Sequence, residues 1–164
     1  MSLHLTIRNR QRVRALDLRL FREIVRHLLA EMAPLAGAEL GVFVLAAPEM
    51  TRLNETYLHH AGATDVITFD YSEPAAGAAT GARQLHGEIF VCLDEAIRQA
   101  RRFRTRWPAE LVRYVIHGVL HLLGHDDHRI RRRRRMKREE NRLLRQLTAR
   151  FPLSRLAGKP RLRP

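Results

Sequence analysis

Apolar and polar residues alternate from Leu3 to Ile7, which predicts a short strand with one buried face. The period then changes. Leu18, Phe21, Val25, Leu28 and Met32 recur at helical spacing, Ile24 and Leu29 widen the stripe, and Asp17 stands where an N-cap belongs. Pro34 and Gly37 are placed to end this helix. The run from Leu40 to Leu45 has the length and β-branched content of a second strand. Pro48 opens a short helix holding Met50, Leu53 and Tyr57. Alternation returns from Asp65 to Tyr71, with Ile67, Phe69 and Tyr71 on one side.

Glu73 to Arg83 is rich in alanine and glycine with one proline, and reads as a flexible loop. Gly87 to Cys92 predicts a fourth strand, followed by a helix carrying Ala96, Ile97, Ala100 and Phe103. Pro108 suits the first turn of the next helix, which is strongly apolar from Leu111 to Leu123 and stopped by Gly124. A last helix holds Met136, Leu143, Leu144, Leu147 and Phe151. Strands and helices mix without regular βαβ alternation. The expected fold is therefore α+β, with a single small mixed sheet of about four strands packed with helices. Residues 1–153 are expected to form one domain and 154–164 a basic, disordered tail.

A length of 164 residues agrees with one domain, and 45% apolar residues suffice for a core. Cys92 is the sole cysteine, so no internal disulfide can form and a reducing, cytoplasmic setting is expected. No run approaches the roughly 18 apolar residues of a membrane span, and no secretory leader pattern opens the chain. Charge adds more. The net charge is +13, and apart from Lys137 and Lys159 every Lys/Arg position is arginine. Forked guanidinium groups suit bidentate phosphate contacts, so a nucleic acid partner fits. The same charge also aids solubility, and composition does not separate RNA from DNA.

One segment concentrates chemistry: His117-Gly-Val-Leu-His121-Leu-Leu-Gly124-His125-Asp126-Asp127-His128. His117 and His121 stand four apart on a predicted helix, so both imidazoles leave one face. A glycine turn then lets a third ligand swing back, as in zinc sites of zincin type that keep an open position for water. The residue ten beyond His117 is Asp127, with His128 one further on, and either can supply that ligand. The peptidase motif His-Glu-x-x-His places its general base directly after the first histidine. Here that position is Gly118, which removes most support for a protease.

The segment resembles the signature of the YbeY family of bacterial endoribonucleases, usually His-Gly-x-Leu-His-Leu-x-Gly-Tyr-Asp-His. Leu53-Asn54 through Tyr57, then Thr64-Asp65-Val66-Ile67-Thr68-Phe69, is similar to that family's upstream stretch at the same spacing, and Gly87-Glu88-Ile89 to its Gly-Asp-Ile strand. The resemblance covers about residues 1–150 and implies an α+β fold, one Zn2+ per chain and cleavage of single-stranded RNA. It also implies a role in 3′-end maturation of 16S rRNA of the small ribosomal subunit and in ribosome quality control. By position, His117 and His121 would be the catalytic metal-binding histidines, and Asp127 the third metal ligand. The family's third histidine is thus an aspartate here. Its arginine after the tyrosine is Leu58, with His59 and His60 beside it.

Glu88 could orient a ligand histidine or act as a base, or be simply structural. Asp65 could brace the loop near the site, His86 reads as a surface loop residue, and Cys92 as inert core. The run Arg129 to Arg135 begins just after the metal motif, and Arg131, Arg132 and Arg135 are its candidate RNA-binding residues. Aromatics make up only 6% of the chain, so backbone contact is expected to outweigh base stacking. Two rivals remain. One is a zinc peptidase with an unusual base; the other is a non-catalytic, metal-stabilised ribosome-assembly factor that binds rRNA. No membrane and no obligate protein partner is expected.

Overall fold

The computed structural model describes residues 2–32, 35–73 and 82–159. Strand β1 (Ser2–Asn9) leads into α1 (Leu18–Glu31), whose N-cap Asp17 accepts a hydrogen bond from the Leu20 amide at 3.0 Å. β2 (Leu35–Leu45) precedes α2 (Ala47–Leu53), which continues as one π-helical turn over Asn54–Leu58. β3 (Val66–Asp70) and β4 (Arg83–Cys92) follow, then α3 (Leu93–Phe103), α4 (Trp107–Leu122) and α5 (Ile130–Arg150). The sheet order is β1-β2-β4-β3, with β1, β2 and β4 parallel and β3 antiparallel on the edge. This is the expected α+β architecture with a mixed four-stranded sheet.

Both central strands are longer than their own residues predict. Leu35 to Glu39 and Arg83 to His86 are poor strand formers, yet they pair with one another across β2 and β4. Strand length here follows the partner ladder rather than local propensity. Gly37 therefore lies inside β2 instead of ending α1, while Pro34 falls outside the described residues. His86, expected in a loop, sits in β4 with its Nε2 3.9 Å from Glu39. Of the loop expected over residues 73–83, residues 74–81 lie outside the described set, and Arg83 belongs to β4.

The sheet has two unlike faces. Leu40, Val42, Leu85, Ile89 and Val91 join α1, α4 and α5 in the main core. Leu45, Ile67, Phe90 and Cys92 turn the other way and pack with Met50 of α2. Cys92 is fully buried, which pushes its thiol up to about 11 and leaves it inert as expected. The expected disordered tail needs correcting at its start. Leu153–Ala157 form a 3-10 turn in which Leu156 is buried and its carbonyl accepts from the Asp17 amide at 2.9 Å. An apolar anchor plus a tie to the α1 N-cap offsets the cost of ordering those residues. Among the described residues, no helix is long and apolar enough to cross a membrane.

Candidate metal centre

Helix α4 is the spine of the site. Pro108 sits in its first turn, and Leu111, Val115, Ile116, Val119 and Leu122 bury its apolar face. A Cβ placed on Gly118 would lie 2.8 Å from Cγ2 of Ile89. The helix therefore lies so close to β4 that any side chain at position 118 would have to displace Ile89 or the helix itself. Beyond Leu122 the chain reverses through Gly124 at φ +90°, a conformation that favours glycine. The His125 amide reaches back to the Leu120 carbonyl at 2.9 Å and the Gly124 amide to His121, which closes the helix end. Arg83 of β4 adds a hydrogen bond to the Leu123 carbonyl.

That reversal brings Asp127 back over the helix. His117 Nε2 and His121 Nε2 are 3.0 Å apart, and Oδ2 of Asp127 lies 3.9 Å and 3.7 Å from them. Ligand atoms around a tetrahedral zinc with bonds of about 2.0–2.1 Å stand roughly 3.3 Å apart, so this triangle has suitable dimensions. His128 does not join His117 and His121; its side chain is 90% exposed, its Nε2 is 3.9 Å from Asp126, and it groups instead with Asp126 and Asp127.

The outer ring nitrogens explain the inner ones. His121 Nδ1 faces the His125 carbonyl at 3.1 Å, and His117 Nδ1 faces Oε2 of Glu140 at 3.0 Å. A carbonyl and a carboxylate can only accept, so both Nδ1 atoms must donate. In the neutral rings both Nε2 atoms then present lone pairs toward one another. Burial and the neighbouring His117 lower the His121 pKa, although Asp127 pulls the other way, so a proton is a poor way to relieve this repulsion. Two imidazole lone pairs and a carboxylate converging on one point are the donor set of a divalent metal.

Glu140 was not singled out by sequence reasoning. It lies on α5 and is 4% exposed. Arg113 donates to its Oε1 at 2.9 Å and Lys137 at 3.2 Å. Burial opposes its ionisation, but the hydrogen bonds from His117 and Arg113 and the charge of Lys137 outweigh that, bringing its carboxyl down to about 2. Its anionic state therefore fixes the ring of His117. A signal for it was present: Arg133, Met136, Lys137 and Glu140 share one helical face, and Met136 marks that face as inward.

Other expectations separate from the centre. Strand alternation puts Gly87 and Ile89 against α4, so Glu88 points to the opposite face, over Gly41. Leu58, His59 and His60 end the π-helical turn and do not line the cavity that holds His117 and Asp127, whereas Asp65 does. Asn54 has a structural task there, donating to the Gly62 carbonyl at 2.9 Å. Arg131, Arg132 and Arg135 are exposed, and Arg132 braces the turn after Gly124 through Asp126 at 3.1 Å. The cations that do line the cavity are Arg113, Arg133 and Lys137.

Comparison with known proteins bears on the family and the fold. The sequence profile of the family described as Endoribonuclease YbeY matches residues 6–148. An Endoribonuclease YbeY of Chlorobium phaeovibrioides is 38% identical over 149 residues, which is 91% of this chain and 91% of that protein. One from Salinibacter ruber is 34% identical over 80% of this chain and 83% of its own. A solution structure of a Thermotoga maritima protein superposes with a TM-score of 0.62 at 20% identity, covering 98% of this chain and 99% of that one, which shows a shared fold.

Proposed function

The chain belongs to the YbeY family of endoribonucleases, and from that premise we propose that it cleaves single-stranded RNA at a zinc centre held by His117, His121 and Asp127. The cellular task that fits is 3′-end maturation of small-subunit ribosomal RNA and ribosome quality control, in the cytoplasm. The observation that carries the metal reading is the pair of Nε2 lone pairs 3.0 Å apart, each forced inward by an acceptor on Nδ1. When bound, zinc supplies Lewis-acid charge for a phosphoryl oxygen and lowers the pKa of a water toward neutrality.

The chain's own residues do the rest. Glu140 and the His125 carbonyl hold the two imidazoles in one tautomer, which spares reorganisation at the moment of reaction. Arg133 and Lys137 place positive charge along the cavity wall beside His117, where an RNA phosphate can be gripped. The arginine run opens α5 at the positive end of its dipole, with no acidic residue in the first turn. That arrangement disfavours the free helix slightly and favours a bound polyanion.

A second reading, a non-catalytic assembly factor, is favoured by one observation: Leu58 stands at the family's arginine position, and neither it nor His59 nor His60 lines the cavity. Incubating zinc-loaded chain with 5′-labelled single-stranded RNA separates the two, with the His117→Ala, His121→Ala double variant as control. Cleavage by the wild type alone supports the ribonuclease. Absence of cleavage with zinc bound, together with tight and salt-sensitive binding to the small subunit, would favour the assembly factor.

A further inference from the structure

Away from the metal motif, the corner between α3 and α4 reads Arg101-Arg102-Phe103-Arg104-Thr105-Arg106-Trp107. Four of these residues are arginine, none is acidic, and two aromatic rings interleave with them. We propose that this corner is a second RNA-holding surface, which grips the single strand a few nucleotides beyond the phosphodiester at the metal centre. The proposal rests on the RNA-cleaving reading above and extends it to the path and length of the substrate.

The first observation is position. Phe103 and Thr105 line the cavity that holds His117 and Asp127. Thr105 also lines a second cavity of about 340 Å3, together with Ile97, Trp107, Arg14, Arg101 and Arg106. The corner therefore joins the two cavities. Trp107 and His117 lie ten residues apart on α4, or about 15 Å, a distance that a short stretch of single strand can span. Ligand pockets begin at about 300 Å3, so the second cavity has room for a group the size of one nucleotide.

The second observation is charge without a partner. Residues 101–106 are all exposed. Among the described residues, none of Arg14, Arg101, Arg102, Arg104 and Arg106 forms an ion pair. Their neighbours differ: Arg98 pairs with Glu95 at 2.6 Å and Arg113 with Glu140 at 2.9 Å. Glu110, in the first turn of α4, is buried and already engaged by the Thr105 hydroxyl at 2.8 Å and by Arg113 at 4.0 Å. Asp65 lines the metal cavity, whereas the second cavity has no acidic lining among the described residues. Clustered guanidinium groups repel one another, and a phosphate chain relieves that repulsion.

The third observation is what the corner leaves uncovered. Phe103 is 61% exposed, and the Arg102 guanidinium lies 5.3 Å from the centre of its ring. Aromatic rings and guanidinium planes are both surfaces on which an unpaired base stacks. Arg104 caps α3 at φ +54°, a left-handed position where glycine is usual, so the turn keeps a cation where a neutral residue would fit better.

The test is fluorescence anisotropy on the zinc-loaded full chain with a labelled dinucleotide and a single strand of about ten nucleotides, read while the RNA is still intact. The Arg101→Ala, Arg106→Ala double variant should bind the longer strand about tenfold more weakly, with a salt dependence lower by about two units, and the dinucleotide as wild type does. Arg104→Gly should melt no lower than wild type and still lose affinity for the longer strand, which separates lost binding from misfolding. Phe103→Ala should weaken the single strand about fivefold and a duplex of the same sequence not at all. Wild-type affinity for the longer strand in the double variant and in Arg104→Gly overturns the surface. Equal weakening of duplex and single strand by Phe103→Ala overturns its preference for single strands. In cleavage of the longer RNA, the double variant should raise KM and leave kcat unchanged. An unchanged KM removes the surface and leaves the ribonuclease standing, whereas corner-dependent binding without any cleavage by the wild type keeps the surface and removes the ribonuclease.

Discussion

Helices α4 and α5 meet at His117 and Glu140, yet they carry chemistry in opposite ways. On α4, both ring nitrogens of His117 and His121 have a defined direction, set by a carboxylate, a carbonyl or one another. On α5, Arg131 to Arg135 are exposed and spread around the helix, and Arg133 is the member of that run facing the cavity. The first region is a short-range, partly buried constellation in which one lost atom breaks the whole. The second is a field, graded and screened by salt. Variants on the two helices should therefore differ in kind as well as in size.

The largest effect is expected on α4. His121→Ala should lose its equivalent of zinc and all measurable RNA cleavage, because His117 and Asp127 alone are too few ligands. Retention of one tightly bound zinc, read by elemental analysis after dialysis, would show that the metal sits elsewhere.

Glu140→Gln tests whether α5 helps to shape the α4 site. Loss of the carboxylate should weaken zinc affinity by about 10–100-fold in a chelator competition. A zinc affinity equal to wild type would leave Glu140 with only a structural role. The same variant predicts a pH effect in the metal-free protein. Because the Glu140 carboxyl is depressed in the fold from 4.5 to about 2, its contribution is fully present above pH 4.5 and is lost as pH falls toward 2. Acid denaturation of the wild type should be steeper over that window than that of Glu140→Gln.

Gly118→Ala probes packing rather than ligands. A methyl group placed 2.8 Å from Ile89 must push α4 off β4, a strain of about 1–3 kcal/mol. Thermal melting should fall by roughly 2–4 °C per kcal/mol for a chain of this size. An unchanged melting temperature would mean that the helix can shift freely, and that the absence of a glutamate at 118 has no steric cause.

These cases also mark what was legible in the sequence. His117, His121 and Asp127 could be read because a helix and one glycine turn fix their separation locally, within eleven residues. Strands β1 and β3 were visible for the same reason, through alternation, and the second halves of β2 and β4 through short apolar runs at Leu40–Leu45 and Gly87–Cys92. The first halves of β2 and β4 were not, since Leu35 to Glu39 and Arg83 to His86 become strand only by pairing with each other. Glu140 was hidden among charges of a helix that reads as solvated, twenty-three residues from the histidine it holds. Tyr114 looked like one more core residue of an apolar helix, and only the tertiary packing leaves its buried hydroxyl without a hydrogen-bond partner among the described residues.

The smallest effect is the one that most sharpens the contrast between the helices. Sequence reasoning placed RNA contacts at Arg131, Arg132 and Arg135, whereas the cavity wall carries Arg133. Arg133 also donates from Nε to the Asp127 carbonyl at 3.0 Å, so it touches the turn that carries Asp127 as well as the cavity wall. Arg133→Ala should weaken RNA binding modestly, lower the salt dependence of binding by about one unit, and slow cleavage more than it weakens binding. Arg131→Ala should lower the salt dependence without that additional loss of rate, since its contribution is charge alone. Arg133→Lys decides between the two components. It keeps the charge but not the forked contact, so binding should recover while the cleavage rate does not. If Arg131→Ala and Arg133→Ala were indistinguishable in both readouts, α5 would act as a uniform field, and the placement of Arg133 at the turn that carries Asp127 would have no consequence for cleavage.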